Sequence, residues 1–102
     1  MYVRLSRGSY PPHLRAEVSA RLGDSAQALI PAIRLLAGRV SYYAGADESS
    51  CSLVNVSVWN TLEHAEAMSS LAKVLALGQA FARMGVEFGR PIVNYAVLWQ
   101  LP

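Results

Sequence analysis

Polar and aromatic side chains share one face of the segment Val54–Trp59, where Asn55, Ser57 and Trp59 alternate with valines. Alternation with a period of two is typical of a β-strand, so Asn55 and Trp59 lie on the same face, about 13 Å apart along it. An amide offers hydrogen bonds and an indole offers a flat apolar surface. Together they suit a pocket for a small ligand. The alternative is that Asn55 bonds to a neighbouring loop and Trp59 packs in the core.

Further polar side chains are candidates for lining the same pocket. Tyr42 and Tyr43 are adjacent in a predicted strand and point to opposite faces, so only one of them can serve a given pocket. His64 falls in the first turn of a predicted helix. Arg83 is a further candidate, and for both His64 and Arg83 an exposed surface position is the alternative. Arg4 and Arg7, like Arg83, are expected to be solvated surface charges.

The sequence lacks the spacings that bind phosphates, metals or a hydrolytic nucleophile. The glycines form neither of the two phosphate-loop patterns, and no GxSxG elbow is present. The two histidines, His13 and His64, fall in different elements, and Cys51 is the single cysteine. Neither a recognised metal set nor an internal disulfide is therefore expected. We expect any activity to need no metal, haem or flavin.

Composition favours a soluble, cytoplasmic protein that binds neither nucleic acid nor membranes. The net charge is only +2, and the nine lysines and arginines are scattered along the chain. No window approaches the roughly 18 continuous apolar residues of a membrane span. The first twelve residues, MYVRLSRGSYPP, open with a strand pattern rather than the apolar core of a signal peptide.

The order of predicted elements is βαββαβ, which indicates an α+β, ferredoxin-like fold in a single domain spanning residues 1–102. Right-handed crossovers place both helical regions on one face of a four-stranded antiparallel sheet. The predicted elements are a strand at Tyr2–Arg7, a helical region at His13–Ala37, a hairpin of Val40–Ala44 and Leu53–Trp59, a helical region at about Thr61–Met84, and a strand at Pro91–Leu101.

Several residues mark where the helices begin, break and end. Asn60 is the predicted N-cap of the second helical region, with Glu63 completing a capping box. The other markers are possible interruptions at Gly23–Ser25, Ser69–Ser70 and Gly78, a kink at Pro31, and stops at Gly38 and Gly85.

The last predicted strand is apolar on both faces. Val93, Tyr95 and Val97 alternate with Ile92, Ala96 and Leu98. The helices cover only one face of the sheet, and an exposed face would normally be polar. The simplest cover for the second face is another copy of the sheet, so we predict a homodimer.

The order of elements, the sequence LLAG after the first helix, and above all LVNVSVWNTLEHAEAM resemble the dimeric α/β-barrel superfamily, within it the antibiotic biosynthesis monooxygenase type. The family pattern is an apolar strand that ends in Trp and is followed by a small polar residue and a polar helix start. Here these are Val58, Trp59, Asn60 and Thr61, with Glu63 following. The resemblance covers nearly the whole chain.

The resemblance implies a cofactor-independent monooxygenase that acts on a small aromatic or phenolic compound. In such enzymes an Asn and a Trp four residues apart contact the substrate, and Asn55 and Trp59 have that spacing. They are the candidate catalytic residues: Asn55 would donate to the developing oxyanion, and Trp59 would stack on the ring. Tyr43, His64 and Arg83 are the candidate substrate-binding residues. The alternative is a non-catalytic dimer of the same fold that binds a small apolar or aromatic ligand.

Overall fold

The computed structural model describes all residues, Met1–Pro102, and contains one antiparallel sheet with its helices on one face. The elements in chain order are β1 Tyr2–Ser9, a 3-10 turn Pro12–Leu14, α1 Arg15–Arg34, β2 Arg39–Asp47, β3 Ser52–Trp59, α2 Leu62–Ala67, a 3-10 turn Met68–Ser70, α3 Ala72–Met84, β4 Glu87–Phe88 and β5 Val93–Ala96. None of the helices combines the length and the apolar character that crossing a membrane requires.

The sheet confirms the predicted α+β, ferredoxin-like arrangement. Strand β1 is central, with β3 and then β2 on one side. On its other side β1 pairs with β4 through Gly8 and Ser9, and with β5 through Tyr2–Leu5. Strands β4 and β5 are therefore two pieces of the predicted fourth strand.

The predicted bounds of that last strand, Pro91–Leu101, are wrong. Strand β5 ends at Ala96, and the last sheet-like hydrogen bond runs from the Val97 N–H to the carbonyl of Met1. Beyond that point β1 has no residue left to pair with. The apolar tail Val97–Pro102 therefore runs past the sheet, and the Trp99 side chain is 83% exposed.

The helical regions differ from the prediction at two capping sites. Helix α1 runs through Gly23–Ser25 without a break, and the Ser25 hydroxyl donates back to the Leu22 carbonyl at 2.6 Å instead of capping a new helix. The N-cap of α2 is Thr61 and not Asn60: Thr61 has extended backbone angles, and its hydroxyl accepts from the His64 N–H at 3.2 Å. The predicted break at Ser69–Ser70 and the predicted stop at Gly85 are confirmed, and Gly85 has left-handed backbone angles. Helix α3 continues through Gly78.

Two separate apolar clusters lie between the sheet and the helices. One joins Leu53 to α1 and α3, with Val18, Leu22 and Phe81 among its members. The other surrounds Trp59, with Leu29, Ile33, Ala65 and Met68. Leu53 and Trp59 are six residues apart on the same face of β3, and polar residues stand between them on that face. The buried residues thus form two groups, with the half-buried Leu77 of α3 packed against both, and a functional site has room between them.

The face of the sheet turned away from the helices is apolar. We call it the open face and the opposite one the helix face. On the open face, β3 presents Val54, Val56 and Val58. Val3 and Leu5 of β1 pair with Val58 and Val56. Tyr43, Val93 and Tyr95 extend the same surface and are exposed. The polar residues Arg4, Ser6, Asn55 and Ser57 therefore point toward the helices, beside the core residues Leu53 and Trp59. The valines of β3 point outward with Val3 and Leu5, and the exposed Arg7 lies at the edge of that surface.

Candidate functional site

Two cross-strand rows of side chains form a polar floor on the helix face. In one row Tyr42 pairs with Ser57, Ser57 with Arg4, and Arg4 with Asn94 across four neighbouring strands. In the next row Asn55 pairs with Ser6. Partners directly opposite in an antiparallel ladder have Cβ atoms about 5 Å apart, so these polar groups converge. The floor lies between the rows that hold Leu53 and Trp59.

A cavity of about 370 Å³ lies over this floor, and helix α3 forms its opposite wall. Val74, Leu77 and Phe81 of α3 make that wall apolar, while Arg4, Ser6, Tyr42 and Asn55 line the sheet side. A recess of about 50 Å³ adjoins it and adds Ser57. The volume and the mixture of an apolar wall with a few convergent polar groups are those of small-molecule sites, which span roughly 300–1,000 Å³.

The charged residues that line the cavity are all positive. Of the 17 residues that line it, Arg4 and Arg90 are the charged ones, and none is an aspartate, a glutamate or a histidine. Arg90 is exposed, with its guanidinium 5.6 Å from the centre of the Phe88 ring. The cavity therefore offers positive charge and neutral polar groups.

Arg4 is only 8% exposed, so the prediction that it is a solvated surface charge is wrong. Its guanidinium donates to Ser69 Oγ at 3.0 Å and, weakly, to Asn94 Oδ1 at 3.5 Å, and both acceptors are neutral. Burial lowers the pKa of Arg4, and this exceeds the opposing effect of Tyr42. Even so, an arginine stays protonated at physiological pH.

Asn55 and Tyr42 supply neutral hydrogen-bonding groups beside Arg4. Asn55 is half-buried, and its amide takes part in none of the side-chain hydrogen bonds of the fold. Tyr42 is half-buried on the same face, and burial raises the pKa of its phenol despite the nearby Arg4. Both side chains therefore have hydrogen-bonding capacity left for a ligand.

Trp59 lies in the core and does not line the cavity. Its side chain is 0% exposed and packs in the cluster with Ile33, Ala65 and Met68. Its indole N–H donates to the Ser57 hydroxyl at 2.8 Å. Trp59 thus holds the Ser57 side chain of the polar floor in place by a hydrogen bond, and its ring is not available to contact a ligand.

The three predicted substrate-binding residues do not meet in the cavity of this chain. Tyr43 lies on the open face, whereas Asn55 lies on the helix face, and Tyr43 is 66% exposed. His64 packs against Gly38 at the far end of the sheet, and its Nδ1 is buried without a hydrogen-bond partner. Arg83 is exposed on α3 and is absent from the cavity lining. Of the candidates drawn from the sequence, Asn55 and Tyr42 line the cavity.

Sequence reasoning did not select Arg4, Ser6 or Ser69 for the site, and it chose Tyr43 rather than Tyr42 as the substrate-binding tyrosine. Arg4 and Ser6 form the polar face of β1, a pattern that normally indicates the solvated side of a strand. The pattern of β3 could have revealed these residues, because Asn55 and Ser57 lie on the same strand face as the core residues Leu53 and Trp59. A polar strand face that begins and ends in core residues indicates a polar cavity inside the fold.

Comparison with known structures shows the class of fold. The chain is similar over its full length, with a TM-score of 0.76 and 19% identity, to a proposed antibiotic biosynthesis monooxygenase from Deinococcus radiodurans, of which it covers 97%. A proposed enzyme of the same type from Nitrosomonas europaea gives a TM-score of 0.73 at 17% identity, with 97% of this chain and 100% of that chain covered. The protein therefore has the ferredoxin-like fold of the antibiotic biosynthesis monooxygenases.

One similar structure carries a defined chemistry. SnoaB from Streptomyces nogalater, described as a cofactor-independent oxygenase, gives a TM-score of 0.68 at 14% identity, with 99% of this chain and 96% of that chain covered. No protein-family model and no curated protein matches the sequence. At identities this low the similarity establishes the fold, and the activity has to be argued from the cavity.

Proposed function

We propose that the protein is a cofactor-independent monooxygenase that oxidises a small phenolic or hydroquinone-like compound in the cavity over Arg4 and Asn55. The observation that carries the proposal is the polar floor inside the fold. The unbonded amide of Asn55 and the guanidinium of Arg4, most of whose N–H donors are unbonded, face an apolar wall across about 370 Å³. The shared fold with SnoaB, described as a cofactor-independent oxygenase, supports the same reaction class.

Electron-rich aromatic substrates can supply all the electrons that O₂ needs. Loss of the phenolic proton makes the ring a reductant, and it transfers an electron to O₂. The two radicals then combine into a carbon-bound peroxide. Where that carbon began as a CH₂ group, loss of water leaves a C=O group. One oxygen atom enters the product, and the other leaves as water.

The residues of the cavity would hold the substrate and stabilise its charge. Asn55 is placed to donate from its amide to the ring oxygen as negative charge develops there, and such a donor contributes about 1–3 kcal/mol. The apolar wall of α3 would pack on the ring and exclude water. The cavity lining contains no carboxylate or histidine to act as a base, so the phenolic proton would pass to water.

We also infer that the protein works as a homodimer whose open faces pack together. The support is the continuous apolar surface of Val3, Leu5, Val54, Val56 and Val58, extended by exposed tyrosines. The apolar tail Val97–Pro102 adds further surface that a partner would cover. Stable obligate dimers bury on the order of 2,000 Å² or more.

Oxygen uptake by the chelator-treated protein tests the proposed reaction. We expect 1,4-dihydroxynaphthalene or anthrone to consume O₂ faster with protein than without, and Asn55→Ala to slow that uptake about tenfold or more. Asn60→Ala is the matched control, because Asn60 is exposed and outside the cavity. Tight ligand binding without any uptake would favour the alternative, a ligand-binding dimer.

A further inference from the structure

Arg4 is a buried cation that no carboxylate neutralises within the fold. Its two hydrogen bonds end on the neutral oxygens of Ser69 and Asn94. A buried charge normally has an ionic partner, because removing it from water costs several kcal/mol. The guanidinium has five N–H donors, and most of them stay unbonded here. Such a group is stabilised when an anion occupies the space beside it.

The surroundings of Arg4 leave that space open to an anion. The charged and titratable groups that face Arg4 are Tyr42 of β2, Glu66 of α2, and Arg90 on the segment between β4 and β5. Burial keeps the Tyr42 phenol neutral, and Arg90 adds positive charge at the same cavity. Glu66 is exposed, forms no hydrogen bond with Arg4, and does not line the cavity.

We propose that Arg4 forms an anion subsite, and that the natural ligand is an aromatic compound whose ionised oxygen, a phenolate or a carboxylate, binds the Arg4 guanidinium beside Asn55. The arrangement of the polar floor supports it: Arg4 and Asn55 stand in adjacent rows of neighbouring strands, so one oxygen-bearing ring edge can contact both. The apolar wall of α3 would receive the rest of the ring.

The anion subsite deepens the proposed function, because it names the substrate class of the same cavity. A phenol held against Arg4 loses its proton more easily, since a nearby opposite charge lowers the pKa of an acid by about one to three pH units. That ionised form is the one that reduces O₂. Binding measured without O₂ tests the subsite independently of turnover.

The first test compares two ligands of nearly identical shape. We expect 2-naphthoate to bind about tenfold to a hundredfold more tightly than the neutral 2-naphthamide, measured by calorimetry without O₂. Arg4→Met should reduce that preference to less than about twofold, and Arg4→Lys should retain part of it because it keeps the charge and loses the planar fork. Arg34→Gln is the matched control, since it removes one positive charge from the exposed end of α1.

The second test distinguishes a phenolate from a carboxylate as the bound anion. 4-Nitro-1-naphthol absorbs differently when ionised, so its protonation state can be read in the complex. At about one pH unit below the pKa of the free compound, we expect the wild-type protein to ionise the bound ligand and Arg4→Met to leave it neutral. Ionisation of the bound phenol would assign a phenolate subsite. Binding of naphthoate with a neutral bound phenol would assign a carboxylate subsite.

Thermal stability separates a binding role of Arg4 from a structural one. We expect Arg4→Met to unfold at the same temperature as the wild type or higher, because replacing a buried unpaired charge with an apolar side chain removes its desolvation cost. Equal affinity of wild-type protein for naphthoate and naphthamide would overturn the proposal without any variant. An Arg4→Met protein that melts earlier and still prefers naphthoate would also overturn it.

Discussion

Replacing Trp59 with phenylalanine should cost stability rather than ligand affinity. Trp59 is 0% exposed, and its indole N–H donates to the Ser57 hydroxyl at 2.8 Å. The phenylalanine leaves that buried oxygen without its donor, which costs about 1–3 kcal/mol. The smaller ring also leaves a void, which adds about 1 kcal/mol within the range seen for large-to-small core substitutions. We expect a total loss of about 2–4 kcal/mol.

Urea unfolding followed by circular dichroism measures this loss directly. Protein concentration should be held constant, because a dimer gains stability with concentration. Ser57→Ala provides the second side of a double-mutant cycle: the double variant should lose about 1 kcal/mol less than the sum of the single losses, because no orphaned hydroxyl or indole remains. A Trp59→Phe protein that loses less than about 0.5 kcal/mol but binds naphthoate about tenfold more weakly would refute the placement of Trp59 in the core.

Three further predictions concern the cavity, the open face and a pair of glycines. Asn55→Ala should weaken ligand binding by about 1–3 kcal/mol and change the melting temperature little, because its amide bonds to no protein group; equal affinities measured by calorimetry would contradict this. Leu5→Glu, at the centre of the open face, should give a folded monomer by light scattering and circular dichroism; an unchanged dimer mass would exclude pairing through this face. Gly38→Ala should lower the melting temperature, because φ is +78° at Gly38 and an added Cβ would overlap the His64 ring. Gly23→Ala should raise the stability by about 1 kcal/mol, because Gly23 lies within α1 and an added Cβ would meet open space. Loss of stability in both variants would contradict this contrast.

Local signals in the sequence predicted most of the elements, because period-two and helical patterns act within short segments. The hairpin of β2 and β3 and the strand-to-helix switch after Trp59 follow from such patterns. The end of β5 could not be predicted in this way. Its apolar pattern continues to Leu101, but the strand stops where its partner β1 begins, and pairing depends on residues about 95 positions away.

The candidate site was only partly predictable, because strand faces were assigned by polarity. The polar residues of β1 normally indicate solvent, yet Arg4 and Ser6 face the helices, and Val3 and Leu5 face outward. Cross-strand register brings Arg4 beside Ser57 and Ser6 beside Asn55, and no single segment contains that information. Asn55 lines the cavity, and the alternation of its own strand was enough to predict its face. Tyr42 rather than Tyr43 shares that face, since a bulge near Arg39 shifts the pairing of β2.

The most direct test of the site is a crystal structure of the protein with a bound hydroxylated anthraquinone, which resembles the expected product. We predict that the ligand lies between the polar floor and α3, with one ring oxygen within hydrogen-bond distance of both Arg4 and Asn55. A ligand bound on the open face beside Tyr43 and Tyr95, with the inner cavity filled only by water, would contradict the proposed site.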